Sequence, residues 1–391
     1  HYASTFDHVW TVNQTTVVNL RAAWERYISY SRQDQIDNFD GSGLGWRVPI
    51  GSNPVPRFPQ VNFDGYTGIG TASQNYPPNN LYSVTADVSK TIGKHFLKFG
   101  SRIGERRNHT ANTGNWYGNF TFNRGFTQRD PQRGDNTSGN SVANFLMGYV
   151  ASGNTDANPK ASFEGRTYSL YFQDDFKITA KLTLNFGLRW DAQTPITEWH
   201  NRMIVGFEPN AAYTLGQGPA RGGFIFASPE QRQAWSTNYR DFQPRFGAAY
   251  KLRQKLVMRA SYGISVLPLG GTGGNTALRQ NGFARQTPYV ATIGGGVNSF
   301  IPNRPGAGTW DVPFPDGILR PFGSSQGPKT FVGQEITFDD PTYVVPRVHQ
   351  FMIGFEHELP WKMVAEASYV GSRTRRLPHS KAIGVISLEE R

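Results

Sequence analysis

Five times along this chain, two segments with an apolar side chain at every second position are separated by a turn of only a few residues. Four of these pairs are divided from the next by a long stretch rich in Gly, Asn and Pro. In a strand, successive side chains point to opposite faces, so strict alternation means a sheet with one apolar and one polar face. A short turn makes the two strands pair antiparallel. The third pair is the clearest: Phe163–Phe176 and Leu182–Thr194, joined by residues 177–181. Leu182, Leu184, Phe186, Leu188 and Trp190 fall on one face, and Thr183, Asn185, Gly187, Arg189 and Asp191 on the other. Five apolar residues at period two outweigh any single propensity.

The other pairs follow the same rule. Phe6–Val12 turns at Asn13-Gln14 into Thr15–Tyr27, where Val18, Leu20, Ala22 and Trp24 oppose Asn19, Arg21 and Glu25. Leu81–Val88 is followed by His95–Arg106, with Leu97, Phe99 and Ile103 opposite Lys98, Arg102 and Arg106. Pro244–Leu252 and Lys255–Leu267 join at Arg253-Gln254. Arg347–Glu358 and Lys362–Val370 join at Leu359-Pro360-Trp361, and a residue without a ladder donor belongs at such a turn. The connections between pairs span about 28–80, 108–162, 195–243 and 268–346, lengths unusual in a compact soluble domain. Within them Trp116–Thr127 reads as a further strand, and Ser141–Met147 as a short helix with Ser141 as its cap.

Short turns at one end and long loops at the other are the arrangement of an outer-membrane barrel. The expected fold is all-β: an antiparallel transmembrane β-barrel segment with short periplasmic turns and long extracellular loops. It forms one partial barrel domain of about 10–12 strands over residues 1–391, with no plug domain visible. A β-sandwich need not sort its connections into two length classes. The blade repeat of a propeller is missing.

Composition agrees. Apolar residues make up 37% of the chain while Phe, Tyr and Trp reach 14%, a balance unlike that of a soluble α/β enzyme. No run of about 18 apolar residues is present to form a transmembrane helix. Without cysteine there is no disulfide and no thiolate metal site. The net charge is +11, but Lys and Arg are scattered without a dense tract, so nucleic acid is not an expected partner. The chain begins at His1, and Thr5–Trp10 already reads as strand or turn material, so a truncated start is expected over a mature or trimmed one. The tail Ser380–Arg391 loses the alternating pattern.

Tyr171-Phe172-Gln173-Asp174-Asp175-Phe176, followed by Leu182-Thr183-Leu184-Asn185-Phe186-Gly187-Leu188-Arg189-Trp190, resembles the barrel of TonB-dependent outer-membrane receptors, and more narrowly their Oar-like group. Gln243-Pro244-Arg245-Phe246-Gly247, and Gly371-Ser372-Arg373 ahead of Arg376-Leu377-Pro378, resemble further pieces of that pattern. The likeness spans most of residues 80–378. It implies a barrel of about 22 strands with a plugged lumen. It also implies a TonB box, and import of a siderophore, oligosaccharide or peptide driven by the proton-motive force. The implied partners are the TonB complex, reached through a plug not present in this chain, and the lipid and lipopolysaccharide of the bacterial outer membrane. The sequence departs from the family in showing about half the strands needed for closure, which leaves open edges and an apolar face. The alternatives are a structural or adhesive barrel and a secreted soluble β-rich binding protein.

No residue set is gathered for covalent chemistry. Asp174 and Asp175 are adjacent on a strand and point to opposite faces, so they do not make a dyad. Asp339-Asp340 lies on a loop as a weak cation candidate. The eight histidines are dispersed, with no zinc-binding spacing. Residues 270–274 are glycine-rich but lack the lysine and helix of a phosphate loop. No enzyme, metal or cofactor is expected. Arg102, Arg189 and Arg259 fall on the polar faces and are expected to line the barrel interior. The ligand-binding candidates are the loop aromatics Trp46, Tyr66, Trp116, Tyr117, Trp235, Tyr239 and Trp310, whose rings suit stacking on sugars, peptides or aromatic ligands.

Overall fold

The computed structural model describes residues 1–28, 58–71, 78–110, 114–130, 133, 135, 137–158, 161–216, 218–267, 282–290, 310–332 and 338–379. Ten long strands among these form five hairpins. They are β1 (Tyr2–Asn13), β2 (Thr16–Ile28), β3 (Pro78–Ile92), β4 (His95–Thr110), β5 (Ala161–Lys177), β6 (Leu182–Gln193), β7 (Asp241–Arg253), β8 (Leu256–Val266), β9 (Arg347–Glu358) and β10 (Val364–Arg375). They pair in chain order, every neighbour antiparallel, into one sheet with β1 and β10 at its ends. The two-residue strand Thr197–Glu198 pairs with β5 at its loop end.

The strands extend further than their alternation suggested. β3 runs on to Ile92, so the second turn narrows to Gly93-Lys94, and Gly93 takes φ +58°, which glycine adopts without a Cβ penalty. Register carries each face from strand to strand. Val18, Val88, Phe99, Phe172 and Leu188 stand opposite one another across β2–β6. On the same face Phe186, Phe246, Tyr262 and Phe351 continue the row of aromatics to β9. Leu170, Phe172 and Leu188 are 53%, 47% and 46% exposed, so no described residue covers this face. A contiguous apolar surface spread over so many strands is far larger than water-soluble monomers expose.

The opposite face is polar and cross-linked. Arg21 pairs with Asp7, and Arg259 pairs with Glu356 through two hydrogen bonds. Asn185 Nδ2 donates to Asp175 at 2.6 Å, and Arg189 Nε donates to Asp191 at 2.9 Å. The Tyr171 ring crosses β4 above Gly100 to donate its hydroxyl to Asp87 on β3 at 2.8 Å. Asp174 and Asp175 part as alternation requires: Asp174 meets His95 Nδ1 at 2.8 Å, while Asp175 bonds Gln173 and Asn185.

The long connections carry more structure than the one strand and one short helix expected within them. Gln60–Phe63, Tyr66–Ile69, Asn119–Phe122, Ser152–Ala157 and Arg285–Pro288, drawn from three connections, form a second sheet of five strands. The expected strand Trp116–Thr127 is shorter, Asn119–Phe122, and belongs to this loop sheet, where it pairs parallel with Gln60–Phe63. The connection 195–243 contains a hairpin of its own, Ile204–Leu215 with Gly218–Phe226. Alternation gave no signal there because a register shift between Glu208 and Ala212, around Pro209, breaks the period. The short helix is α1 (Ser141–Leu146), but its cap is Asn140, whose Oδ1 accepts from the backbone N–H of Val142 and Ala143. Ser141 instead donates its hydroxyl to the carbonyl of Asp64. The tail 380–391 lies outside the described residues. No described helix is long and apolar enough to cross a membrane, which says nothing about strands.

A Cβ at Gly100 would fall 2.7 Å from the Tyr171 ring and 2.8 Å from the Ala86 carbonyl. Gly100→Ala is therefore expected to destabilise the β3–β5 region by about 1–3 kcal/mol. Unfolding of the detergent-folded protein in urea, followed by tryptophan fluorescence, checks this; an unchanged midpoint would contradict the close packing.

Candidate ligand-binding surface

The ordered loops contain the cores that the long sheet lacks. In the first, Val61, Phe120, Phe122, Val150, Tyr289 and Phe314 are buried, with Phe63, Phe145 and Trp310 packed on them. Trp310 meets Phe120 and Phe122 edge-on, with centroids 5.2 and 5.3 Å away. Edge-to-face pairing of this kind adds to the burial of ring area. In the second, Ala161, Phe163, Ile196, Met203, Val205 and Ala234 are buried, with Trp235 against them. Burial pushes the Tyr289 phenol above its ordinary range, with Asp311 adding to the rise, so the ring stays neutral.

These cores divide the aromatic candidates. Tyr117 is 1% exposed, so it offers no face to a ligand and acts in packing. Trp310 is likewise held within the first core. Trp116 is half-buried, and its carbonyl accepts the Thr155 hydroxyl. Tyr66 and Tyr239 are exposed; Tyr66 accepts from Asn140 Nδ2, and the Tyr239 carbonyl accepts from Trp190 Nε1. Trp235 is half-buried, with its ring 5.1 Å from that of Tyr343. Burial and Asp241 push the Tyr343 phenol up to about 12, so it too stays protonated. Trp46 lies outside the described residues. Arg102, Arg189 and Arg259 all lie on the polar face of the long sheet.

Sequence reasoning passed over a cleft of about 690 Å³ where β6 leaves β5. Its walls include Glu164, Arg166, Thr194, Gln231, Arg232 and Trp235. Beside it Glu198, 1% exposed, organises the connection that follows β6. Its carboxylate accepts from the backbone N–H groups of Ser162, His200 and Arg202, and Arg232 donates to its carbonyl. No spacing rule singles out one glutamate buried by a fold this remote in sequence. Asp340 is an ordinary turn residue: Thr342 donates to it through hydroxyl and backbone, and these bonds hold its carboxyl below the usual range. No group of three or more metal-ligating carboxylates and histidines occurs among the described residues.

An antiparallel sheet of hairpins, with an apolar face that no described residue covers and folded loops at one end, is the form that part of an outer-membrane β-barrel takes. The chain belongs to the outer membrane beta barrel domain family, whose model matches residues 1–388. It is thus an outer-membrane protein. Among solved structures it is similar to the outer membrane transporter YddB from Escherichia coli, at 10% identity and TM-score 0.49, covering 94% of this chain and 33% of that one. It is also similar to the ferric-catecholate import receptor Fiu from E. coli, at 13% identity and TM-score 0.41, covering 95% and 40%. The siderophore receptor PiuA from Acinetobacter baumannii follows at 11% identity and TM-score 0.40, covering 94% and 39%. The chain therefore spans well under half the length of these proteins. No curated protein matches it in sequence.

Phe120→Ala would leave a cavity in the first loop core, at a cost of about 3–5 kcal/mol. Protease cleavage is expected to rise together in 58–71, 114–158 and 310–332 while the long sheet stays protected. Cleavage confined to one connection would show that the three do not form a unit. Glu198→Ala strands buried N–H groups, each worth about 1–3 kcal/mol. It is expected to open residues 196–235 selectively in hydrogen exchange.

Proposed function

We propose that the chain is part of the wall of a TonB-dependent outer-membrane transporter of the Oar-like group, which binds a siderophore, oligosaccharide or peptide and imports it with TonB-coupled energy. The observation that carries this reading is the two-faced sheet: an apolar face fit for lipid and a hydrogen-bonded polar face fit for a lumen. The segments at Tyr171–Phe176, Leu182–Trp190 and Gln243–Gly247 that resemble the receptor barrel lie within strands of that sheet. The open ends at β1 and β10 favour further strands in the whole protein, because unpaired edges are not tolerated in hydrocarbon. Arg102, Arg189 and Arg259 would face the lumen, toward a plug or an anionic ligand. Tyr66, Trp116, Trp235 and Tyr239 remain the aromatic candidates for capture at the mouth. The TonB complex would act through a plug outside this chain, and no cofactor is required.

The test is the intact mass of the native protein after membrane fractionation, with uptake measured before and after the proton-motive force is collapsed. A mass well above 43.6 kDa in the outer-membrane fraction, with uptake lost on collapse, is expected. A 43.6 kDa soluble species would sink the transporter reading. Uptake insensitive to collapse would leave a passive barrel.

A further inference from the structure

Along the strands, several arginines of the polar face hold carboxylates: Arg21 that of Asp7, Arg189 that of Asp191 and Arg259 that of Glu356. At the turn end of the sheet this pairing stops. Lys94, Lys177, Lys181, Lys251, Arg253 and Lys255 occupy three successive hairpin turns and the residues beside them, between β3 and β8. All six are exposed, and none is in an ion pair among the described residues. Lys362 carries the line on to the turn between β9 and β10. From β4 to β8 the row extends about 19 Å, at one strand spacing per step.

The ladder sets like charges side by side. The backbone N–H of Lys177 donates to the carbonyl of Lys94 at 2.9 Å, and that of Lys251 to the carbonyl of Lys181 at 2.8 Å. Like charges facing each other across a ladder destabilise a sheet. The neighbouring carboxylates do not relieve them. Asp174 is taken by His95, and Asp175 by Gln173 and Asn185. Glu358, at the end of β9, is exposed and forms no ion pair among the described residues. Lys94 Nζ donates to a neutral acceptor, the Ile178 carbonyl, at 2.8 Å. Register also fixes a direction. Lys177 is opposite Thr183 and Lys251 opposite Val257, which are positions of the polar face. Leu182 and Tyr250, opposite one another, end the apolar face at this level, and Lys181 and Lys251 stand one residue beyond it.

A line of uncompensated cations at the tips of the turns, directed away from the apolar face, complements an anionic surface in water and not a headgroup beside the wall. We propose that the turn end of the sheet docks an acidic polypeptide of the periplasm, whose carboxylates lie along the row from Lys94 to Lys255. This rests on the transporter reading given above, with the short turns on the periplasmic side.

The test uses the full-length protein in its native host, with photoreactive benzoylphenylalanine in place of Ala180, an exposed turn residue. Adducts are mapped by mass spectrometry. Wild type is expected to give an adduct with one polypeptide, at a segment of net negative charge. Lys177→Gln with Lys181→Gln and Lys251→Gln is expected to reduce that adduct about tenfold, the combined effect of three solvent-exposed charge pairs. The same three lysines changed to Arg should keep most of it, and Arg221→Gln at the loop end should keep all of it. A second arm measures binding of a fluorescent polyglutamate peptide to the purified protein in phosphatidylcholine nanodiscs, which should weaken as salt rises. No adduct, an adduct with a neutral or basic segment, or equal adducts from wild type and the triple Gln variant would each overturn the proposal. So would enrichment of phosphatidylglycerol around the wild type in mixed nanodiscs, lost in the triple Gln variant, because it would assign the row to headgroups. Should the triple variant fail to insert, Lys181→Gln alone decides by the polyglutamate readout. A polymer-linked amine reagent too large to cross the outer membrane separates the two readings. Labelling of Lys181 on intact cells defeats the orientation, whereas a shielded Lys181 without an acidic adduct defeats only the docking row.

Discussion

The structure depends on the backbone hydrogen-bond ladder between ten strands that pair in chain order. In hydrocarbon no water replaces a missing partner, so each N–H and C=O of the wall must be met by a neighbouring strand. Hairpins meet this demand locally, since a turn such as Gly93-Lys94 places β3 and β4 side by side at little entropic cost. Once the ladder is fixed, side-chain period two decides the rest. Every residue is assigned to the apolar or the polar face, and a slip of one position would exchange Phe172 for Tyr171.

The two faces are stabilised differently. The apolar face has no protein core behind it among the described residues. The polar face is held by cross-strand bonds: Tyr171 to Asp87, Arg189 to Asp191, Arg259 to Glu356. Cores in the usual sense occur only in the connections, around Phe120 and Trp310 and around Met203 and Phe163. The molecule therefore joins a wall whose interior is its surroundings to loop bodies packed like small soluble domains.

What was legible follows from this division. All five hairpins could be read because alternation is a local property and the turns are short; Leu182–Trp190 and Leu256–Ile264 carry their faces openly. Strand ends were misjudged where polar residues continue the ladder, as at Asn79, Asn80 and Arg107, whose side chains break the pattern while their backbones still pair. The loop sheet was not legible, because Gln60–Phe63 joins Asn119–Phe122, a segment some sixty residues away. The aromatic candidates suffered the same fate. Exposed rings and buried rings look alike in a glycine-rich connection, and only packing separates Tyr66 from Tyr117. Asn140 outcompeted Ser141 as the helix cap by a single position.

The loop sheet also sets an order of events. Arg285–Pro288 pairs with Ser152–Ala157, and Gln60–Phe63 with Asn119–Phe122, so strands from three separate connections must converge. Contacts of such long sequence separation form late, after loop-closure entropy has been met by the hairpins between them. A polypeptide that has threaded only its first three hairpins still carries Phe120 and Phe122 without Tyr289 and Phe314 to cover them. For that interval the growing sheet displays a sticky aromatic cluster at its loop end, and the closing of that cluster marks the arrival of the fourth connection.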